Sequence, residues 1–220
     1  MKNKMPLQFL LILLGIFLLA GTASTEETTP AATIRFNWGL IHQDKNGVQK
    51  ILDFSSSPEI ATGDSLRIYV RPLENVYVYL YLFDSSKDIA LVFPESPDFY
   101  EQQPSFLGNE FYIPSSETWF DIVDPTGIEN FYLLAASERL ISLEKATAKY
   151  MNDEGNAELR ATLLEEIKQI RQSHSNFTKI AEKGISIAGT MRTRAISTIG
   201  EATMVEAETF YSKTLRLKHD

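Results

Sequence analysis

The chain has 220 residues with 21 basic and 29 acidic side chains, which gives a formal net charge of −8. It contains no cysteine, and this excludes disulfide bonds, zinc–thiolate sites, thiol nucleophiles and a lipid attached to cysteine. An acidic surface repels polyanions over most of its area, so we expect neither nucleic acid nor an anionic membrane face as a partner.

The amino terminus has the three-part plan of a secretory signal peptide. Lys2 and Lys4 precede an apolar run over residues 9–20, and small residues follow up to Ala23. The run is shorter than the roughly 20 residues that cross a bilayer as a helix. We predict a signal peptide over residues 1–23 that is cleaved near Ala23; the alternative is an uncleaved amino-terminal anchor.

Cleavage would release an acidic protein. Because two lysines leave with the signal peptide, 19 basic residues remain against 29 acidic ones, a net charge of about −10. Residues 24–32 are small, polar and proline-containing, which predicts a flexible leader. We therefore expect a periplasmic or secreted protein without a stable membrane anchor.

Short apolar segments separated by proline and glycine breaks fill residues 33–139. Their alternation predicts strands at 34–40, 48–54, 66–70, 76–83, 89–93, 111–113, 119–123 and 130–136. No helical pattern lies between them, so we expect a mainly β fold, an antiparallel β-sandwich or a small barrel.

The strand at 76–83 is apolar or aromatic on both faces. Tyr77, Tyr79, Tyr81 and Phe83 alternate with aliphatic residues. Such an aromatic ladder can form a stacking platform for a sugar or peptide. We expect it to be core, because the carboxyl-terminal helices need a surface to cover.

The periodicity changes after residue 139. Residues 140–203 predict a helical segment, with helices near 140–147 and 159–170 and a break around 152–155. Residues 176–203 have no firm period. Residues 204–220 alternate again and predict a long strand that returns to the sheet, so the helices form an insertion before the last strand and the whole is α+β.

Several short motifs follow one another in a fixed order within residues 63–139. They are GDSL at 63–66, NVYVYLYLFD at 75–84, LVFP at 91–94, YIPS at 112–115, WFDIV at 119–123, GIE at 127–129 and FYLLAASE at 131–138. In order and spacing this third of the chain resembles the bacterial domain of unknown function 4384. The family usually has a glycine where this chain has the turn at 85–88, which affects turn geometry only.

The resemblance implies a compact β-rich interaction module. Members of the family often accompany caspase-like peptidase or protein-kinase domains as non-catalytic appendages. The resemblance transfers no functional residue to this chain.

Histidine and carboxylate motifs with metal-binding spacing are missing. His42, His174 and His219 are far apart in sequence, and we expect three solvated side chains in preference to a metal site. Residues 44–47 (DKNG) lack the distal glutamate of a calcium loop and predict a hairpin turn.

Ser142 and Lys145 match the S-x-x-K motif of penicillin-recognising enzymes. No K-T-G strand follows, since Lys213 and Thr214 continue to Leu215. We read the pair as a solvated helix face, and we predict no catalytic residue, metal or cofactor.

The long connection at 94–108 mixes aromatic and acidic side chains. Phe99, Tyr100, Glu101 and Phe106 make it a candidate partner-binding loop, because binding residues are common on such connections. The alternative is a loop pinned to the edge of the sandwich by its own aromatic residues.

Three functions remain open from these observations. The first is an exported, non-catalytic envelope module that binds another envelope protein or a ligand. The second is an envelope hydrolase whose site is assembled from scattered residues. In the third, the two helices act as a lever or oligomerisation arm and the sandwich is their anchor.

Overall fold

The computed structural model describes residues 33–174, 179–186 and 200–220. The strands are β1 (Ile34–Gln43), β2 (Gln49–Ile51), β3 (Glu59–Ile60), β4 (Ser65–Glu74), β5 (Tyr77–Phe83), β6 (Ile89–Phe93), β7 (Phe111–Ile113), β8 (Phe120–Asp121), β9 (Gly127–Ala136), β10 (Ile180–Ser186), β11 (Glu201–Ala207) and β12 (Phe210–His219). The helices are α1 (Phe99–Gln102), α2 (Ile141–Met151) and α3 (Ala157–Ser173). The predicted signal peptide and leader lie outside the described residues.

The strands form two sheets that face each other. Sheet A has the order β10-β11-β1-β4-β7, with β2 also paired to β1 and β8 also paired to β4. Sheet B has the order β3-β12-β9-β5-β6. The pairings are antiparallel except that of β3 with β12. The described strands do not close into a barrel, so the sandwich is the correct one of the two predicted alternatives.

The main hydrophobic core lies between the two sheets. Alternate residues of β1 point into it, because successive side chains of a strand face opposite sides. Among its buried members are Ile34, Phe36, Trp38 and Leu40 of sheet A and Val78, Leu80, Leu133 and Leu215 of sheet B. The apolar residues whose alternation predicted these strands are therefore the residues that fill the core.

Helices α2 and α3 cover the outer face of sheet B and form a third layer. Tyr79 and Tyr81 of β5 point to this side and are 1 % exposed. They pack with helical residues such as Leu143, Leu163 and Ile167. The prediction that β5 is covered on both faces is confirmed in its middle, where Tyr79 and Tyr81 are core; Tyr77 and Phe83 at its ends are half-buried.

The opening hairpin forms as its sequence predicts, and a side-chain cap begins α3. The carboxylate of Asp44 accepts the backbone N–H groups of Asn46 and Val48, each at 2.8 Å, which makes residues 44–47 a turn between β1 and β2. The side chain of Asn156 caps α3 by accepting the N–H groups of the next turn at 3.0 and 3.2 Å. No helix in the described ranges is long and apolar enough to cross a membrane.

The carboxyl-terminal prediction needs two corrections. Helix α3 ends at Ser173, and residues 180–186 of the predicted helical segment form strand β10. Residues 204–220 are not one strand, since β11 belongs to sheet A and β12 to sheet B. The predicted region 176–203 lies partly outside the described residues.

Candidate functional site

The predicted partner-binding loop packs its aromatic side chains inward. Phe99, Tyr100 and Phe106 are only 5 to 6 % exposed, and they belong to the core beneath the helices. Glu101 lies on the surface, 3.8 Å from the guanidinium group of Arg139. This packing corresponds to the pinned loop, the alternative that the sequence left open; partner binding by the loop stays a prediction.

Tyr100 explains how the loop is attached to sheet B. Its hydroxyl accepts the backbone N–H of Val78 at 2.8 Å and donates to the carbonyl of the same residue. Strand β6 pairs with β5 only from Leu80 onward, so the hydroxyl satisfies backbone groups of β5 that lie beyond β6. Burial raises the pKa of Tyr100 well above its ordinary value, which keeps this phenol neutral.

A buried polar network joins α2 to sheet B. The Tyr79 hydroxyl donates to Glu144 at 2.7 Å, and Arg139 donates to the same carboxylate at 2.6 Å. Burial, together with the hydrogen bond to Glu144, raises the pKa of Tyr79 far above its ordinary value. Buried polar groups that are fully paired hold one arrangement of the elements, so this network positions α2.

The S-x-x-K residues lie on the other side of α2. Ser142 and Lys145 are exposed, whereas Leu143 and Glu144 between them are buried. The pair therefore lies on a solvated helix face, as the sequence predicts.

The prediction of three solvated histidines is wrong for two of them. His42 is 6 % and His219 is 3 % exposed. His42 Nε2 lies 2.8 Å from Asp64 Oδ2, and His219 Nε2 lies 2.9 Å from the hydroxyl of Thr62. Burial of His42 could have been predicted, because the even-numbered residues of β1 face inward and His42 is the next of them.

Asp64 is held in its charged form by its neighbours. Burial alone would raise the pKa of Asp64, but hydrogen bonds from the Ala61 N–H and from His42 outweigh burial and lower the pKa. In the ranges that the structure describes, no three histidine, aspartate or glutamate side chains are grouped to hold a metal ion.

A cavity of about 380 Å³ opens at one side of the sandwich, between β6 of sheet B and β8 of sheet A. We call it the seam pocket. Its apolar lining comes from β4, β5, β6 and β9 and includes Leu66, Ile68, Leu82, Val92 and Phe131. Phe120 and Val123 also line it and are 39 % and 67 % exposed. Exposed large apolar side chains beside an apolar cavity are typical of a binding site.

Four carboxylates line the seam pocket. Each accepts one hydrogen bond: Asp84 from the Asp88 N–H at 2.8 Å, Asp121 from Ser65 at 3.4 Å, Asp124 from Thr62 at 3.2 Å and Glu129 from the Ser85 N–H at 3.2 Å. Among the described side chains none of the four forms an ion pair, and the lining contains no lysine or arginine. The pocket thus combines an apolar floor with four carboxylates that form no ion pair with a described residue; His219 also lines it.

Sequence reasoning missed this pocket because its lining comes from residues 66 to 131 and from His219. The segment DIVDP at 121–125 carried the one usable signal, two acids around an apolar pair in a loop. A larger groove of about 750 Å³ lies beside α3 and Phe210. Its lining includes His174, which borders residues 175–178 outside the described ranges, and no site is assigned to it.

Comparison with known proteins supports the resemblance. The model of the family named domain of unknown function (DUF4384) matches residues 59–139, which run from β3 to just beyond β9. No curated protein and no solved structure matches the chain. The matched stretch contains all residues that line the seam pocket except His219.

Proposed function

We propose that this chain, whose residues 59–139 match the DUF4384 family, is an exported, non-catalytic module that binds another protein of the bacterial envelope. The observation that supports the proposal most is the seam pocket, with its apolar floor and the exposed side chains of Phe120 and Val123. A side chain as exposed as Val123 gains little from folding, and its burial against a partner would remove apolar surface from water.

The proposal of export is motivated by residues 1–23. Their positive start, apolar run and small residues before Ser24 match what signal peptidase cleaves. The released protein is acidic, which favours a soluble partner over anionic lipid.

Site-specific crosslinking in the native cell tests the binding role. A photo-reactive amino acid is placed at Val123, and the matched control carries it at Val48, a valine of similar exposure (62 %) beyond the β1–β2 turn. We expect a discrete adduct with one envelope protein from Val123 and none from Val48. Equal adducts from both positions, or none from Val123, would contradict the proposal.

Cell fractionation and intact mass test the export. The recovered protein is expected outside the cytoplasm with Ser24 as its first residue. A full-length chain that stays in the cytoplasm would refute export. Hydrolysis of an envelope substrate that is lost in Asp121→Asn and Asp124→Asn variants would favour the hydrolase instead.

A further inference from the structure

We infer that the partner enters the seam pocket as an extended, basic peptide segment that pairs along the free edge of β6 and places an apolar side chain in the cavity. The inference depends on the proposed function and specifies the chemistry of its partner. Three features carry it: an open strand edge, an apolar cavity next to that edge, and lining carboxylates that form no ion pair with a described residue.

The outer edge of β6 has no strand partner in the described part of the chain. Sheet B ends at β6, which pairs with β5 alone. Proteins usually protect such an edge with charged residues, proline or a bulge, because unpaired backbone groups attract another strand. The sequence of β6, IALVF, contains neither a charge nor a proline.

Local features protect this edge at the two ends of β6. The N–H of Ile89 is taken by the carboxylate of Asp88 at 2.8 Å. The register shift opposite Leu80 and Tyr81 places one extra residue, Val92, as a bulge near the other end. The middle of the strand keeps its regular geometry and can accept a short added strand.

A strand added to β6 would lie over the mouth of the seam pocket. Ala90, Leu91 and Val92 of β6 line that cavity, and so do Phe120 and Asp121 of β8. Because alternate side chains of a strand point to the same face, one peptide side chain in two would point toward the cavity. Its volume, about 380 Å³, is within the range of small-ligand sites and suits a large apolar side chain.

Charge decides which peptide fits. Asp84, Asp121, Asp124 and Glu129 line the pocket without ion pairs to described residues, and the whole chain has a net charge of −8. An acidic peptide would bring like charges together as water is excluded, whereas lysine or arginine side chains would meet unpaired carboxylates. The complementary segment is therefore apolar at one position and basic on either side.

Binding of synthetic peptides, measured by fluorescence anisotropy, tests the inference. The protein is used as it is purified from the cells that make it. The probe is a labelled seven-residue peptide that alternates lysine with valine or leucine. One comparison peptide has glutamate in place of lysine, and another is the basic peptide with alternate backbone nitrogens methylated. We expect binding of the basic peptide, at least about tenfold weaker binding of the methylated one, and no saturable binding of the acidic one.

Matched charge variants locate the site. The double variant Asp121→Asn with Asp124→Asn should weaken binding of the basic peptide by about tenfold, since two charge contacts are lost. The control, Asp153→Asn with Glu158→Gln, removes two exposed charges at the start of α3 and should leave binding unchanged. Equal losses in both double variants, or equal binding of all three peptides, would overturn the inference.

The crosslinking experiment separates the inference from the proposed function. If Val123 captures an envelope protein while the basic peptide does not bind, the module binds a partner of other chemistry and this inference is wrong. If both fail, the proposed function is wrong as well.

Discussion

At the scale of single residues, the hydroxyl of Tyr100 shows how a loop side chain can replace a missing strand. It pairs with both backbone groups of Val78 at a place where β6 no longer runs beside β5. The sequence drew attention to this tyrosine but left two roles open. An aromatic residue in a proline-rich loop has the same sequence pattern whether it packs inward or faces a partner.

Removal of that hydroxyl should destabilise the protein. Tyr100→Phe keeps the ring but leaves the buried N–H and carbonyl of Val78 unsatisfied, which costs about 1–3 kcal/mol of unfolding free energy. Urea denaturation measures the loss. The control is Tyr77→Phe, whose half-buried ring contacts Tyr100 at 5.1 Å between centroids and which should change stability by no more than about 0.5 kcal/mol. Equal losses would mean that the hydroxyl of Tyr100 is not the attachment point of the loop.

The His42–Asp64 pair shows a limit of sequence reasoning at the same scale. The two residues are 22 positions apart, and the GDSL motif that contains Asp64 does not indicate His42 as its partner. They meet because β1 pairs antiparallel with β4 in the register that sets His42 opposite Leu66, close to the start of β4. Alternation could predict that His42 faces inward, but its partner depends on the register of two strands.

At the scale of elements, alternation located most strands but could not assign them to sheets. In β11 the inward residues are Val205 and Ala207, and in β12 they include Tyr211 and Leu215. All of these residues have odd numbers. Both sheets face one core, and odd-numbered residues still point inward after the chain has crossed from one sheet to the other. A single long strand and two strands in opposite sheets therefore have the same pattern.

The edge strand β10 and the seam pocket were beyond prediction for related reasons. Nearly all residues of β10 are exposed, so the strand has no apolar period to detect. The pocket lies between sheets whose contacts are set by tertiary packing. Its carboxylates are scattered over 46 positions, from Asp84 to Glu129.

Helix α3 offers a direct test of the third layer. Leu163 is 1 % exposed against sheet B, whereas its neighbour Leu164 is half-buried at the edge of the groove beside α3. Leu163→Ala should cost about 2–5 kcal/mol of unfolding free energy because it leaves a cavity. Leu164→Ala should cost no more than about 1 kcal/mol. Urea denaturation followed by circular dichroism compares the two variants.

Equal effects of the two leucine variants would contradict docking of α3 through Leu163. That outcome would favour the helices as a lever or oligomerisation arm. Measurement of molecular size over a range of concentrations would then separate these two roles.

At the scale of the whole molecule, the two cores share the strands of sheet B. Val78 and Leu80 of β5 belong to the core between the sheets, and Tyr79 and Tyr81 belong to the core beneath the helices. If β5 unfolds, both cores lose the side chains that it contributes to them. We therefore expect the described layers to unfold together.

Two spectroscopic signals can test this coupling, because the chain contains two tryptophans and both lie on the side of sheet A. Trp38 is in β1, and Trp119 precedes β8 with the guanidinium group of Arg67 3.9 Å above its ring. Tryptophan fluorescence therefore reports on sheet A, and circular dichroism at the helical band reports on α2 and α3. In the unmodified protein the two unfolding curves should coincide.

The Leu163→Ala variant makes the test decisive, since the substitution lies beneath the helices and away from both tryptophans. If the cores are coupled, both signals should shift to lower urea by the same amount, about 1–2 M. Leu164→Ala serves as the control and should shift neither signal by more than a fraction of that. A helical signal that is lost at lower urea while the fluorescence midpoint stays in place would show that the helices unfold as a separate unit. In that case the polar network between Tyr79 and Glu144 would not couple the helices to the sandwich.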